Sequence, residues 1–457
     1  MSEHFDLIVL GGGPGGYRAA EQAGHAGLRT LLIERRALGG VCLNEGCIPS
    51  KALLHSAKIF DYANGGGEKY GVTTTGAALD QKKVLARKNQ IVRMLVSGVA
   101  AQLTKSGVTV ERGFGGILGK QPEGFELTAN GKRYIGKRLL VATGAEPVLP
   151  PIPGIEHAVA ACHALTNREI LDLDHIPERL VVVGGGAIGL EMASYFSSAG
   201  SKVTVIEMLD HIAGNTDLEI SAILQKNYEK KGVTFLLSGK VTGIAENQIA
   251  YEQNGGTAKI PADKVLVSIG RKPATTGFGL ENLNPEMDGK AIKTDEYLRT
   301  SVAGLYACGD VNGKSMLAHT AYREAEVAVN HMRGKRDVMR YHAVPSVIYT
   351  NPEVACVGLT QEQAAREGMD VKTVTTSMLY SGRYVAENEG GDGICRLLID
   401  KKHNRLLGVH MIGNYASEII YGAALMIETE LRVDDLKELV FPHPTVSEVI
   451  REALFSL

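Results

Sequence analysis

Cysteine is scarce, with six residues in a chain of 457. A small secreted domain held by disulfides needs a far denser set, and a chain of this length can build its cores without them. Long apolar runs are missing too: none approaches the roughly 18 residues of a membrane-spanning helix. Basic residues are scattered rather than striped, and the formal net charge is only −2. That balance argues against nucleic acid or an acidic membrane as the main partner and favours small or protein-borne substrates. The opening MSEHFDLIVLGGG turns into an apolar strand pattern almost at once, unlike a signal or Arg-rich transit peptide, so the expected location is the reducing cytoplasm. A lasting structural disulfide would be unusual there, and paired cysteines point instead to chemistry.

With 44% hydrophobic and 22% charged residues, the composition suits a globular chain of about two to four domains. One segment occurs twice. FDLIVLGGGPGGYRAAEQAGHAGLRTLLIERR (5–36) aligns without gaps on ERLVVVGGGAIGLEMASYFSSAGSKVTVIEML (178–209) at a constant offset of 173. Each copy opens with a short apolar run, Leu7 to Leu10 or Leu180 to Val183, as a strand buried on both faces of a parallel sheet requires. A G-x-G-x-x-G turn follows, Gly11, Gly13 and Gly16 or Gly184, Gly186 and Gly189, then a helix and a second strand. That strand ends in an acid, Glu34 or Glu207, 18 residues past the last glycine in both copies. Glycine lets the backbone approach a pyrophosphate, the helix N-terminus supplies free N–H groups, and the acid accepts from the adenosine ribose hydroxyls. Two dinucleotides are therefore expected. Glu207 would repel a 2′-phosphate, and no Lys or Arg lies between Lys202 and Lys226, so the second copy should prefer NAD to NADP.

A Pro-rich crossover in GKRLLVATGAEPVLPPIPG follows a strand expected to end at Thr143-Gly144 and sets a domain boundary near residue 150. DKVLVSIGRKPAT and GLYACGD promise two more buried strands. From about residue 341, YHAVPSVIYTNPEVACVGLT and ICRLLIDKKHNRLLGVHMIG alternate like antiparallel strands, and amphipathic helices follow. The fold class is α/β, two Rossmann-like dinucleotide-binding domains with a C-terminal α+β domain.

GGVCLNEGCIPSK (39–51) places Cys42 and Cys47 five apart. In a regular helix that spacing separates the Cα atoms by about 8 to 9 Å, and a disulfide tolerates no more than about 7 Å. Joining them requires a bent segment, which Gly46 permits, and a strained disulfide is easily reduced. Zinc would need two further ligands, yet Cys162, Cys308, Cys356 and Cys395 stand alone, and all four are expected to be small core hydrophobes. No metal is expected. Two inert buried thiols remain an alternative, weakened by the nearness of a dinucleotide site.

GGVCLNEGCIPSKALL, the two dinucleotide repeats, LLVATGAEP, YACGD, YTNPEVACVGLT and HPTVSE together resemble the dihydrolipoamide dehydrogenase family of class I flavin disulfide reductases, across the whole chain. The resemblance implies a first part of an FAD domain at 1–149, an NAD domain at 150–272, a second, central part of the FAD domain at 273–340 and an interface domain at 341–457 that forms a homodimer. It implies FAD on Gly11, Gly13, Gly16 and Glu34, with Lys51 near the flavin and paired with Glu191, and with Gly115, Thr143, Gly144, Asp310 and Ala318 close by. NAD would rest on Gly184, Gly186, Gly189, Glu207 and Gly270, with Ile188 over the nicotinamide pocket. Cys42 would exchange with substrate, Cys47 would face the flavin as a thiolate, and His443, oriented by Glu448, would be the general base toward the other subunit. Thr445 is expected to cap the helix that follows. Glu45 stands where relatives often have valine, and is expected to point to water; Phe441-Pro442 stands where small or polar residues are common.

The implied activity is oxidation of a lipoyl group carried by a separate acyltransferase or carrier protein of a 2-oxo acid dehydrogenase or glycine cleavage complex, with reduction of NAD. Glutathione- or mercuric-reductase-like chemistry is the rival within the fold, opposed by Glu207 and by a C-terminus, REALFSL, that lacks a second cysteine pair. An assembly or electron-transfer flavoprotein with an idle disulfide would have no use for Cys42, Cys47 and His443 together.

Overall fold

A computed structural model describes residues 2–457, which divide into two compact units. The first contains the stretch ending at Ala52, with Lys83–Val148 and Gly270–Arg340; the second contains Leu53–Lys82, Leu149–Ile269 and Tyr341–Leu457.

In the first unit, β1 (Glu3–Leu10), α1 (Pro14–His25) and β2 (Thr30–Glu34) form the first copy of the repeat. Leu7 to Leu10 and all of β2 are buried, which is why these runs carry no polar alternation. With β3 (Thr109–Arg112), β4 (Gly115–Gln121), β5 (Gly124–Ala129) and β6 (Lys132–Val141) they build a sheet in the order β3-β2-β1-β6-β5-β4, and Leu305–Ala307 adds to β6. The pairs among β1, β2, β3, β6 and Leu305–Ala307 are parallel, and β4 and β5 are antiparallel additions. This topology positions the site. The parallel strands end at Leu10, Glu34, Val141 and Ala307, so the glycine turn, Thr143-Gly144 and Gly309-Asp310 all emerge at the same, carboxyl edge. Ligands of open α/β sheets bind at that edge. The strand before Thr143 stops at Val141, two residues earlier than its apolar pattern suggests, with Ala142 N still donating to Leu10 O at 2.8 Å as in the parallel ladder.

In the second unit the repeat recurs in three dimensions. Leu7 faces Thr30 in the first sheet and Leu180 faces Val203 in the second, and the next three pairs follow in step, the offset of 173 reproduced strand for strand. Five parallel strands, ordered Thr234–Leu236, Lys202–Ile206, Arg179–Val183, Lys264–Val267 and Ala164–Leu165, form this sheet. A three-stranded antiparallel sheet (Lys240–Ala245, Gln248–Gln253, Gly256–Pro261) accompanies it.

The C-terminal part is an antiparallel sheet ordered Ser346–Ile348, Glu353–Gly358, Arg405–Gly413, Ile394–Asp400 and Val371–Ser377. The helix Glu448–Phe455 packs onto it through Val449, Ile450, Ala453 and Leu454, which share a core with Leu397, Val409 and Met411. Burying each large aliphatic side chain stabilises by about 1.5 to 3 kcal/mol, which pins a helix whose first residue is Glu448. Among the described residues, no helix is long and apolar enough to cross a membrane.

Candidate active site

The two glycine turns are built alike. A side chain at Gly11 (φ +107°) would meet Ala142 O at 2.3 Å, and one at Gly16 would meet Gly11 O at 1.8 Å; Gly184 and Gly189 are closed in the same way by Ser268 O and Gly184 O. The middle glycines differ: a Cβ at Gly13 would come no nearer than 3.8 Å to another atom, and one at Gly186 would meet none of the described atoms within 4 Å. The fold itself demands the outer glycines, and the middle ones leave room for a group from outside. α1 and its counterpart Ala187–Ser198 begin at Gly13 and Gly186 with no side-chain cap, so their first N–H groups remain for an anion.

The acids close each turn. Glu34 Oε2 accepts from Gly12 N at 2.6 Å, and its Oε1 accepts from Arg36 N at 2.6 Å. Glu207 repeats both contacts, from Gly185 N at 2.6 Å and from Leu209 N at 2.8 Å. Each carboxylate is thus fixed beside its turn with lone pairs to spare for a ribose diol. These features suit two dinucleotides.

Around the first turn, Thr143 Oγ1 donates to Ala274 O at 2.7 Å, and Gly144 has φ +75°. Asp310 opens a 3-10 turn after Gly309, and burial raises its carboxyl pKa against the pull of the Arg271 guanidinium. Ala318 begins the helix Ala318–Met332. Gly115 lies in β4 with Leu10 and Ile33 so close that a side chain would reach Leu10 at 2.5 Å, a packing reason for glycine there. Gly270 belongs to the first unit, where its carbonyl accepts from Val148 N at 3.0 Å, whereas Gly184, Gly186, Gly189 and Glu207 lie in the second. Glu191 is buried in the second unit and accepts from Tyr349 N at 3.1 Å, and Ile188 is half-buried on the same helix.

The cysteine segment is bent where the spacing requires. α2 (Gly40–Glu45) ends at Gly46, and Cys47 starts a new helix, α3 (Cys47–Asp61). Cys42 and Cys47 are present as thiols with their side chains in hydrogen-bonding contact. That contact, and then burial, push the Cys42 thiol well above its ordinary range, while the ammonium of Lys51, one turn into α3, pulls the other way. Among the described residues no cluster of His, Cys, Asp and Glu could hold a metal ion.

His443 stands on the loop before the last helix, its side chain 77% exposed, with Nδ1 2.8 Å from Glu448 Oε1. Glu448 Oε2 accepts from Thr445 N at 2.9 Å. Burial would lift the Glu448 carboxyl, but the hydrogen bonds from Thr445 N and His443 hold it below its usual range. An anionic acceptor at Nδ1 keeps the proton there and leaves Nε2 as the basic nitrogen.

Three local expectations are corrected. Glu45 does not simply face water: its carboxylate takes both terminal nitrogens of Arg36, with Nη1 to Oε2 at 3.4 Å and a shorter Nη2 to Oε1 contact. Cys162 is exposed at a turn rather than a core residue; Cys308 and Cys395 are buried and Cys356 half-buried. Thr445 does not cap the last helix; Ser447 occupies the cap position without a capping bond, and the Thr445 hydroxyl donates to Pro442 O at 2.8 Å. Phe441 packs against the core of the C-terminal sheet.

Sequence reasoning also passed over three groups. Tyr17, just after Gly16, shares a short hydroxyl contact with Tyr322; burial first, then each other and both cysteines, act on their ionisation. Tyr17 also lines a largely apolar cleft of about 340 Å³ with Met94, Leu95, Val99 and Leu103. Fully buried Glu324 holds the Gly309-Asp310 turn, accepting from Gly309 N at 2.6 Å and Asn312 Nδ2 at 2.9 Å. Partners 305 residues apart leave no local signature.

Residues 5–325 match the family model of pyridine nucleotide-disulphide oxidoreductases, and residues 344–454 match that family's dimerisation domain. Among curated relatives, the dihydrolipoyl dehydrogenase of Mycoplasma pneumoniae is 37% identical, with 99% of each chain covered, and that of Thermus scotoductus is 38% identical, covering 99% of this chain and 97% of the relative. Among solved structures, the HOCl-induced flavoprotein disulfide reductase RclA from Escherichia coli superposes with a TM-score of 0.86 at 27% identity, covering 98% of this chain and 99% of that one. With both models matched over nearly the whole length, the chain belongs to the pyridine nucleotide-disulphide oxidoreductase family.

Proposed function

We propose that the protein is a dihydrolipoyl dehydrogenase, which oxidises protein-bound dihydrolipoamide to lipoamide and reduces NAD+ to NADH through the Cys42–Cys47 couple and FAD. The observation that carries this reading is the contacting thiol pair on a bent helix junction, in the same unit as a dinucleotide turn whose middle glycine is open. The full-length curated relatives named dihydrolipoyl dehydrogenase support the substrate. FAD would be held by Gly11, Gly13, Gly16 and Glu34, with Lys51, Gly115, Thr143, Gly144, Asp310 and Ala318 around it. NAD would be held by Gly184, Gly186, Gly189 and Glu207.

The residues divide the work by chemistry. His443 Nε2 takes a proton from a substrate thiol across the dimer, and Glu448 stabilises the imidazolium that forms. The substrate thiolate attacks Cys42 sulfur, the Cys42–Cys47 bond breaks, and Cys47 leaves as a thiolate steadied by Lys51. The second substrate thiol then loses its proton as its sulfur attacks the first, the mixed disulfide to Cys42 breaks, and Cys42 takes up that proton as a thiol while lipoamide closes. FAD held at this turn would supply the two-electron redox chemistry that links the Cys47 thiolate to NAD+. Glu207 selects NAD+ by its charge. The apolar cleft beside Tyr17 suits an aliphatic arm. We place the enzyme as a homodimer in the cytoplasm, serving a 2-oxo acid dehydrogenase or glycine cleavage complex.

An anaerobic titration of the oxidised flavoprotein with dihydrolipoamide, reduced glutathione, NADH and NADPH tests this assignment. Reduction by dihydrolipoamide and NADH is expected. Preference for glutathione and NADPH would move the protein to another branch of the family.

A further inference from the structure

The junction between the two cysteines is tied at both ends. At its start, Gly39 N donates to Gly12 O at 2.8 Å, and Asn44 Nδ2 donates to Leu38 O and Gly40 O at 3.0 and 2.9 Å, anchoring α2 to the glycine turn. At its end, Glu45 is the last residue of α2 and Gly46 the break, and the Glu45 side chain, 17% exposed, is gripped by the guanidinium of Arg36. Arg36 sits two residues past the end of β2, and its N–H donates to Glu34. A helix of six residues is too short to hold itself in water, so the place of Cys42 depends on such ties.

We propose that the Arg36–Glu45 ion pair is a clamp that fixes the bend between Cys42 and Cys47 and thereby biases the couple toward its disulfide. The inference rests on the reading of these cysteines as a redox couple. The thermodynamic reason is asymmetric. A closed disulfide restrains the bend by its own covalent ring, whereas in the dithiol only non-covalent ties do so. Cutting the clamp therefore frees the dithiol more than the disulfide and shifts the balance toward the reduced form. Arg36 and Glu45 are thus positioning residues. An alternative is that the two side chains act simply as charges beside the thiols, and this makes a different forecast. A lone Arg36 would favour the thiolate form and a lone Glu45 would disfavour it, so the two single variants would shift in opposite directions.

The test equilibrates the flavoprotein anaerobically in mixtures of reduced and oxidised dithiothreitol. The protein disulfide takes two electrons and two protons from the reagent, its S–S bond breaking as the cyclic S–S bond of the reagent forms. Acid quenching, thiol alkylation and mass measurement of the peptide carrying both cysteines give the ratio. Glu45→Gln and Arg36→Gln are each expected to shift the equilibrium about threefold toward the dithiol, the scale of a partly exposed ion pair, which is about 14 mV for a two-electron couple. The charge-swapped double variant, Arg36→Glu with Glu45→Arg, is expected to return to the wild-type ratio. Opposite shifts in the single variants, no shift in either, or a swap that fails to restore the ratio would overturn the clamp. A wild-type protein that forms no Cys42–Cys47 disulfide at any ratio would instead overturn the redox reading beneath it.

Discussion

Replacing Glu207 with glutamine should convert a strongly NAD-selective enzyme into a poorly selective one. The carboxylate accepts from Gly185 N at 2.6 Å through one oxygen and from Leu209 N at 2.8 Å through the other. Glutamine has a single acceptor oxygen, so one of these N–H groups would face an NH2. Losing a hydrogen bond to a charged group costs about 1.5 to 3 kcal/mol, or roughly 10- to 100-fold in kcat/KM for NAD(H). For NADP(H) the balance differs. Two unit charges about 4 Å apart repel by about 4 kcal/mol at an effective dielectric of about 20, and Glu207 is only half-buried, so a repulsion worth about 10² survives screening. Removing it offsets the damage to the turn, and kcat/KM for NADPH should stay roughly level. The wild-type preference of about 10² or more should fall to about tenfold or less. Quinone reduction by NADH and NADPH, measured with lipoamide turnover for both proteins, supplies the numbers. Equal use of NADPH by the wild type, or an undiminished preference in the variant, would refute the role of Glu207.

Two-electron reduction should produce a long-wavelength charge-transfer band from a Cys47 thiolate against oxidised FAD; Cys47→Ser should abolish it and Cys42→Ser retain it, while both lose lipoamide turnover. Absorbance spectra showing the reverse would exchange the two roles. His443→Ala should lower dihydrolipoamide oxidation by roughly 10² to 10⁴ and leave NADH-driven quinone reduction nearly intact; equal loss of both rates would point to damage at the dimer interface. Asp310 carries a raised carboxyl pKa, so between its ordinary and raised values the folded state holds the proton more firmly, and stability falls as pH climbs through that window. Asp310→Asn should therefore raise the Tm of the flavin-free protein at pH 7 while weakening FAD binding by roughly 10- to 100-fold, and a lower Tm with unchanged affinity would contradict both halves.

Several features were legible in the linear order because their physics is local. The strand, glycine turn, helix, strand and acid lie within about 30 residues, the span of one βα unit, and the offset of 173 reappears as identical strand register and identical Glu-to-glycine hydrogen bonds. The need for a bend at Gly46 followed from helix geometry and a disulfide's reach alone. Glu448 lies five residues from His443, close enough for its reach to be foreseen. Only the tertiary structure decided what stands opposite each of these groups. Parallel topology carries Thr143 and Asp310 to the edge where Gly11 and Glu34 end, although their strands are far apart in the chain. It also buries Glu324 beneath the Gly309-Asp310 turn, brings Tyr322 to Tyr17, exposes Cys162 and folds Arg36 back onto Glu45. A sequence lists the donors and acceptors of each residue. Which of them meet depends on backbone paths that only the packed sheet determines.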